Sequence, residues 1–396
     1  MYSGHSAGSE IRRVDRVSDQ PRIGLFSLRQ LHKQVYRSSL YEFEDVIAAS
    51  ENVDLIEAVG LPPRLNWLNL KLERYAESYF NTDIFPGTRF KPQPLEGHYD
   101  LLIVICQKED DLRYLRRIPD WRKHCTKAVC WIDELWASRV EKYPRQLELL
   151  ADFDAVFLGF STTLPVVQRR LAAPCYHLPV GADTLAFNPF PQAPERTIDL
   201  YSMGRRAPIT HAMMLEMART RGLFYMYDSA PLGSVTKPIE HRRMLSSLIQ
   251  RTRLFLVAPA KVTSPHETQG QTEVGTRYFE GAAGGAILVG ERPNLPAFDQ
   301  DFDWPDAVVH LAYNSDDPTQ LLELLADPRR MRAIHERNAS QSLRRHDWAY
   351  RWRDMLLALG MPLPRNLQQR IQRCQDAADR IDRNVSPLLS GHALFR

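Results

Sequence analysis

The chain has no apolar run long enough to cross a bilayer. Stretches such as Leu101–Cys106 stop at six residues, against the roughly 20 that a membrane helix needs. It also has no block of five like charges, and 51 Lys+Arg against 48 Asp+Glu leave a net charge of +3. A nucleic-acid-binding arm and a polybasic membrane anchor are therefore not expected. The first twenty residues lack the apolar segment of a signal peptide and read as a loose N-terminal arm, 1–20. Cysteine is scarce: Cys106, Cys125, Cys130, Cys175 and Cys374 form an odd set of five without a C-x-x-C pair. Reduced, buried thiols and a cytoplasmic protein are expected rather than disulfides or zinc. No H-E-x-x-H, P-loop or G-x-S-x-G pattern occurs, which removes the usual signatures of metalloproteases, P-loop NTPases and serine hydrolases. No short repeat and no low-complexity tract stands out.

What is present is enough for two cores. The chain has 396 residues, 44% hydrophobic and 25% charged, a length and balance typical of two folded domains. Short β-rich apolar runs recur at Arg22–Leu28, Asp100–Cys106, Lys127–Ile132, Asp154–Phe160 and Tyr176–Val180. Helical spacing lies between them, as at Ser39–Ser50 and Tyr143–Ala151. Strands alternating with helices predict a parallel sheet covered on both faces. The pattern restarts with strands at Ile198–Met203, Phe224–Tyr227, Leu254–Ala258, Ala286–Val289 and Ala307–Leu311. Helices fall between them at Ala212–Arg219, Ile239–Gln250, Arg277–Ala283 and Thr319–Ala326. Between the two sets, residues 178–194 hold four prolines and read as an interdomain linker and hinge. After Pro328 the chain reads as helical, and Leu367, Ile371, Cys374, Ala378, Ile381 and Val385 form one apolar stripe at helical spacing.

The segment Pro265–Gly290 combines a polar, glycine-containing loop, a helix and a strand. A loop entering a helix N-terminus offers free backbone N–H groups and a positive dipole end, so it suits a diphosphate. Glu273, Arg277 and Glu280 fall on one side of that helix: the carboxylates suit sugar hydroxyls and the guanidinium suits phosphate. A solvated Glu/Arg pair ahead of a glycine cap has the same spacing. Gly204, Arg205 and Arg206 follow the first strand of the second set, at the carboxyl end where open α/β sheets bind ligands. Glycine permits close backbone approach there and arginine neutralises a departing diphosphate, although an exposed loop arginine reads alike. Asp133 and Glu134 end a strand of the first set, as a general base or an orienting group for an acceptor hydroxyl, or as helix caps. His32 and His266 lie in neighbouring loops and are weaker candidates.

These residues resemble a known family. The run Glu273-Val-Gly-Thr-Arg-Tyr-Phe-Glu-Gly-Ala-Ala-Gly-Gly-Ala-Ile-Leu-Val-Gly290 resembles the donor-site helix of the group 1 glycosyltransferases of GT-B fold. Leu178-Pro-Val-Gly-Ala-Asp183 with Phe187 and Pro189 is similar to their hinge, and His346-Asp-Trp348 with Arg351 is similar to the end of their second domain. The resemblance implies that Glu280 holds a nucleotide ribose, that Arg205 or Arg206 meets the diphosphate, and that Thr276, Arg277 and Tyr278 lie beside the phosphates and base. In retaining members two glutamates have seven residues between them. Here Glu273 and Glu280 have six, and Thr272 stands at the strict position. The family's lysine beyond the arginine is missing from Ala207–His211, and Lys261 is the expected substitute.

The expected fold is therefore α/β of GT-B type, two Rossmann-like domains facing each other across a cleft. An acceptor domain is expected at 21–184, a nucleotide-sugar domain at 185–360, and a helix at 361–396 returning to the first domain. The expected activity is metal-independent transfer of a sugar from a nucleotide diphosphate sugar to an acceptor hydroxyl. Asp133, Glu134 and Glu273 are the expected catalytic acids. Gly204, Arg205, Arg206, Lys261, His266, Thr276, Arg277, Tyr278 and Glu280 are expected on the donor. No cofactor, metal site, nucleic-acid partner or transmembrane segment is expected, and the acceptor is open among a glycan, a lipid-linked glycan, a protein and a small molecule. An epimerase or hydrolase of the same fold, or a silent nucleotide-sugar-binding subunit, remains a rival reading.

Overall fold

Strands that the sequence marks as continuous apolar runs become the centres of two parallel sheets. The computed structural model describes residues 21–50, 52–60, 90, 91, 95, 97–142, 147–228 and 233–389. The expected arm at 1–20 lies outside them. The first sheet contains β1 (Ile23–Ser27), β2 (Val53–Glu57), β5 (Tyr99–Cys106), β6 (Cys125–Ile132), β7 (Ala155–Leu158) and β8 (Cys175–His177), in the order β2-β1-β5-β6-β7-β8. A small antiparallel pair, β3 (Val59–Gly60) and β4 (Phe90–Lys91), stands apart from it. Central β5 and β6 are almost wholly buried, as expected when helices cover both faces of a parallel sheet. Strand β2 has no counterpart among the expected elements. It is an edge strand carrying Asp54 and Glu57, with mostly half-exposed residues, so it makes no apolar run. The helix expected at Tyr143–Ala151 is a short 3-10 segment at Glu148–Asp152, and residues 143–146 lie outside the described set.

The second sheet has β9 (Ile198–Ser202), β10 (Tyr225–Tyr227), β11 (Thr252–Val257), β12 (Ile287–Gly290) and β13 (Val309–His310), ordered β10-β9-β11-β12-β13 and parallel throughout. The helices that matter for the cleft are α1 (Ser38–Ser50), α2 (Pro208–Arg221), α3 (Pro238–Gln250), α4 (Thr276–Ala283), α5 (Pro328–Arg345), α6 (Trp348–Ala358) and α7 (Arg365–Leu389). The chain thus forms two Rossmann-like α/β domains, joined by residues 178–197 between β8 and β9.

One core cluster runs through both domains, holding Phe43 and Trp131 from the first and Phe255 and Phe279 from the second. Helix α6 makes that continuity: Trp348 stacks on Phe43 at 4.6 Å, meets Trp131 edge-on at 5.8 Å, and donates through Nε1 to Glu42 at 2.9 Å. The interdomain segment pairs with the start of this helix. Ala182 N–H donates to the His346 carbonyl at 3.0 Å and Trp348 N–H to the Ala182 carbonyl at 3.2 Å. A Cβ at Gly181 would stand 2.8 Å from the His346 oxygen, so the approach requires glycine. The final helix α7 touches α1, and Leu367 joins the shared core. Ile371 packs against that core, and Cys374, Ala378 and Ile381 pack with Ala339 and Leu343 of α5. Among the described residues, no helix is long and apolar enough to cross a membrane.

Candidate active site

On the second-domain side, β9 ends at Ser202 and turns through Gly204, whose φ of +80° is a conformation that favours glycine. Its N–H donates to Asp228 at 2.7 Å. Arg205 is exposed, and Arg206 lies over the Tyr227 ring, 5.2 Å from its centroid. The loop entering α4 is fixed by Ala260 N–H donating to the Glu273 carbonyl at 2.9 Å. At the helix start Gly275 occupies the cap position without a side-chain cap. The first backbone N–H groups of α4, from Thr276 onward, therefore have no capping side chain. Arg277 Nη2 stands 3.5 Å from where a Gly204 Cβ would be. The two segments that the sequence separates by a whole β-α-β stretch thus adjoin. Arg206 Nη1 and Arg277 Nε are buried donors without a hydrogen-bond partner, an arrangement that is costly unless an acceptor completes it.

Glu280, buried on α4, shares its carboxylate between two guanidinium groups, Arg242 Nη1 on Oε1 and Arg277 Nη1 on Oε2 at 3.0 Å. Burial pushes its pKa up, but Arg242 and Arg277 outweigh burial and hold it below the usual value. Glu273 is placed differently. Its carboxylate accepts from Ser161 N–H at 3.2 Å, Thr162 N–H at 3.0 Å and the Thr162 hydroxyl, all on a first-domain loop, and from Gln271 at 2.8 Å. The carboxylate expected to be catalytic at Glu273 is thus held by first-domain donors on both oxygens. Tyr278, expected beside the phosphates and base, has its side chain in the core. Its ring is buried against Phe298 and its hydroxyl donates to the Glu291 carbonyl at 2.6 Å, so it packs the core instead of lining the cleft. Thr276 is half-buried at the helix start, and His266 is exposed on the single turn Pro265–Thr268.

The facing wall comes from the carboxyl ends of the first-domain strands. Asp133 is buried and accepts from Gln107 Nε2 at 2.8 Å. Burial, with the neighbouring Glu134 charge, pushes its pKa well above the usual carboxylate value. Glu134 is more open, with 28% of its side chain exposed, and Lys261 Nζ lies 4.0 Å away from across the cleft. Lys261 also pairs with Glu267 at 2.8 Å and sits 5.4 Å from the Trp136 ring centroid. His32 lies in the interior near Asp111, at 4.0 Å, and Asp111 is gripped by both Nη atoms of Arg37 at 2.8 and 2.9 Å. Among the described residues no group of three or more His, Cys, Asp or Glu has the placement of a metal site.

The sequence reading missed Arg242, Glu42, Gln107 and Gln271. Arg242 was discoverable: with Leu245, Ser246 and Ile249 it falls on the buried stripe of α3, and a charged residue on such a stripe needs a partner. Gln271 carried no such signal. Its amide accepts from Ala137 N–H at 2.9 Å and donates to Thr163 at 2.9 Å across the cleft, a role set by the opposing domain.

Residues 218–357 match the model of a family described as glycosyl transferase-like, a stretch that runs from the end of α2 to α6. No curated protein sequence matches the chain. Among solved structures, the chain is similar to Anabaena HepE in complex with UDP and glucose, with 8% identity over 86% of this chain and 99% of that one and a TM-score of 0.47. It is similar to an α,α-trehalose 6-phosphate synthase from Burkholderia multivorans, with 11% identity, 88% and 98% coverage and a TM-score of 0.49. It is also similar to an α-glucosyltransferase in complex with UDP and a 13-mer DNA containing an HMU base, with 12% identity, 86% and 100% coverage and a TM-score of 0.48.

Proposed function

We propose that the chain, whose residues 218–357 match a family described as glycosyl transferase-like, is a glycosyltransferase that transfers a sugar from a nucleoside diphosphate carrier to an acceptor hydroxyl without a metal ion. One observation carries the reading: Arg206 Nη1 and Arg277 Nε are buried without partners, beside a helix N-terminus that has no side-chain cap. Oriented guanidinium groups and backbone N–H groups of this kind stabilise negative charge as it develops on a leaving diphosphate. Lys261 and exposed Arg205 add positive charge on the same side.

In the reaction the bond between the sugar anomeric carbon and the diphosphate oxygen breaks, and a bond from that carbon to the acceptor oxygen forms. The diphosphate leaves with its charge met by Arg205, Arg206, Arg277 and Lys261. The acceptor enters from the first domain, where Glu134 faces the cleft and takes or orients the hydroxyl proton. Asp133, fixed by Gln107, shapes that wall. Glu280 accepts from the ribose hydroxyls.

The test is a panel of UDP, GDP and ADP followed by calorimetry or thermal shift, because a ligand that binds the folded state alone raises its stability. Glu280→Ala is expected to weaken the tightest binder by about tenfold to a hundredfold, the worth of hydrogen bonds to a charged group. Arg206→Ala is expected to weaken the diphosphate similarly and leave the bare nucleoside unaffected. Unchanged nucleotide affinity in Glu280→Ala would remove the donor assignment.

A further inference from the structure

The buried ion network around Glu280 does not end inside the second domain. Arg242, 4% exposed on α3, presents Nε and Nη2 to the two oxygens of Glu42 on α1 of the first domain, at 2.9 and 3.0 Å, and turns Nη1 to Glu280. Its guanidinium lies over the Phe187 ring, 4.9 Å from the centroid. Glu42 is itself fixed by Asp183 N–H of the hinge at 2.9 Å and by Trp348 Nε1 of α6 at 2.9 Å. Hydrogen bonds therefore run without a break from hinge to Glu42, to Arg242, to Glu280, to Arg277.

We propose that Arg242 is a positioning residue for the donor: anchored on Glu42 of the opposite domain, it holds the Glu280 carboxylate in the orientation that receives the ribose hydroxyls. The donor site is then complete only when the two domains are together. This rests on the reading of Glu280 as the ribose acid. A buried carboxylate without a cation would be too costly to keep ionised, and the side-on grip on Glu42 fixes the plane of the guanidinium that meets Glu280, as a flexible ammonium could not. An ionised carboxylate has about four acceptor positions. Arg242 and Arg277 take one on each oxygen, which leaves one on each for a pair of vicinal hydroxyls.

The experiment compares the tightest-binding ribonucleoside diphosphate among UDP, GDP and ADP with its 2′,3′-dideoxy counterpart by calorimetry. In the parent the ribose form is expected to bind at least about tenfold tighter, and in Glu280→Gln that preference is expected to vanish. Arg242→Gln is expected to reduce the preference to about threefold or less while the dideoxy affinity stays near the parent's; a merely structural loss would weaken both ligands equally. Glu42→Gln, an isosteric change away from the donor, is expected to lower the preference in the same sense. If Arg242→Gln does not fold, Arg242→Lys replaces it, since one ammonium cannot reproduce the side-on grip on Glu42 together with the bond to Glu280. A full preference in a folded Arg242 variant and in Glu42→Gln, with the preference lost in Glu280→Gln, overturns the positioning role and leaves the donor reading standing. A preference that survives in Glu280→Gln overturns the donor reading itself.

Discussion

Lys261 of the second domain holds its ammonium 4.0 Å from the Glu134 carboxylate of the first, with Glu267 of its own domain at 2.8 Å. One cation thus reaches from the domain proposed to hold the donor to the proposed acceptor acid. Lys261→Met is expected to lower kcat/KM by about a hundredfold and to weaken nucleoside diphosphate binding by about tenfold, the loss of one charged donor at a developing anion. Steady-state kinetics with calorimetry checks this. Unchanged values would reduce Lys261 to a local partner of Glu267.

Glu134→Gln is expected to lower turnover by about a hundredfold with nucleoside diphosphate affinity unchanged, because the acid belongs to the acceptor wall. Initial rates at saturating donor, beside a binding isotherm, separate the two effects. Equal loss of binding would move Glu134 to the donor.

Asp133 carries a pH signature. Its pKa is raised in the folded state by burial and by Glu134, so the folded chain holds this proton more tightly than the unfolded chain does. The stability contribution is fully present below the ordinary aspartate pKa and is lost as pH rises through the raised value. Asp133→Asn keeps an acceptor for Gln107 and removes the charge. Its melting temperature is expected to exceed the parent's by a few degrees at pH 7 and to approach the parent's near pH 4. Thermal melts across that range test it, and a variant less stable than the parent at pH 7 would contradict it.

Turnover is expected to persist in excess chelator, because arginines, a lysine and a helix end surround the proposed leaving group. An assay with and without chelator decides it. Complete loss that a divalent ion restores would require a metal on the diphosphate.

Gly181→Ala is expected to cost about 1–3 kcal/mol, the usual penalty of forcing atoms into a filled site, since its Cβ would meet the His346 carbonyl and the Trp348 ring. Trp348→Ala is expected to cost about 3–5 kcal/mol. Denaturant unfolding measures both, and a Gly181→Ala protein as stable as the parent would mean that the hinge moves away from α6.

Local signals settled much of this protein. Apolar runs marked β5, β6 and β11 because a strand covered on both faces leaves no polar alternation to confuse. Turn formers marked the connection between the two sheets, and glycines marked the loops after β9 and before α4, since backbone geometry depends on nearby residues. Strand β2 was missed because an edge strand obtains its pairing from a neighbour and not from its own hydrophobicity. The same division runs through the site. That Glu280 and Arg277 share a helix face follows from helical spacing alone. That Tyr278 is core depends on Glu291 and Phe298 beyond its own helix, and that Glu273 is bound by Thr162 and that Arg242 joins Glu280 to Glu42 depend on residues more than 30 positions away in the chain. Partner choice for a buried charge is a property of what the fold places opposite it, so no window of sequence contains it.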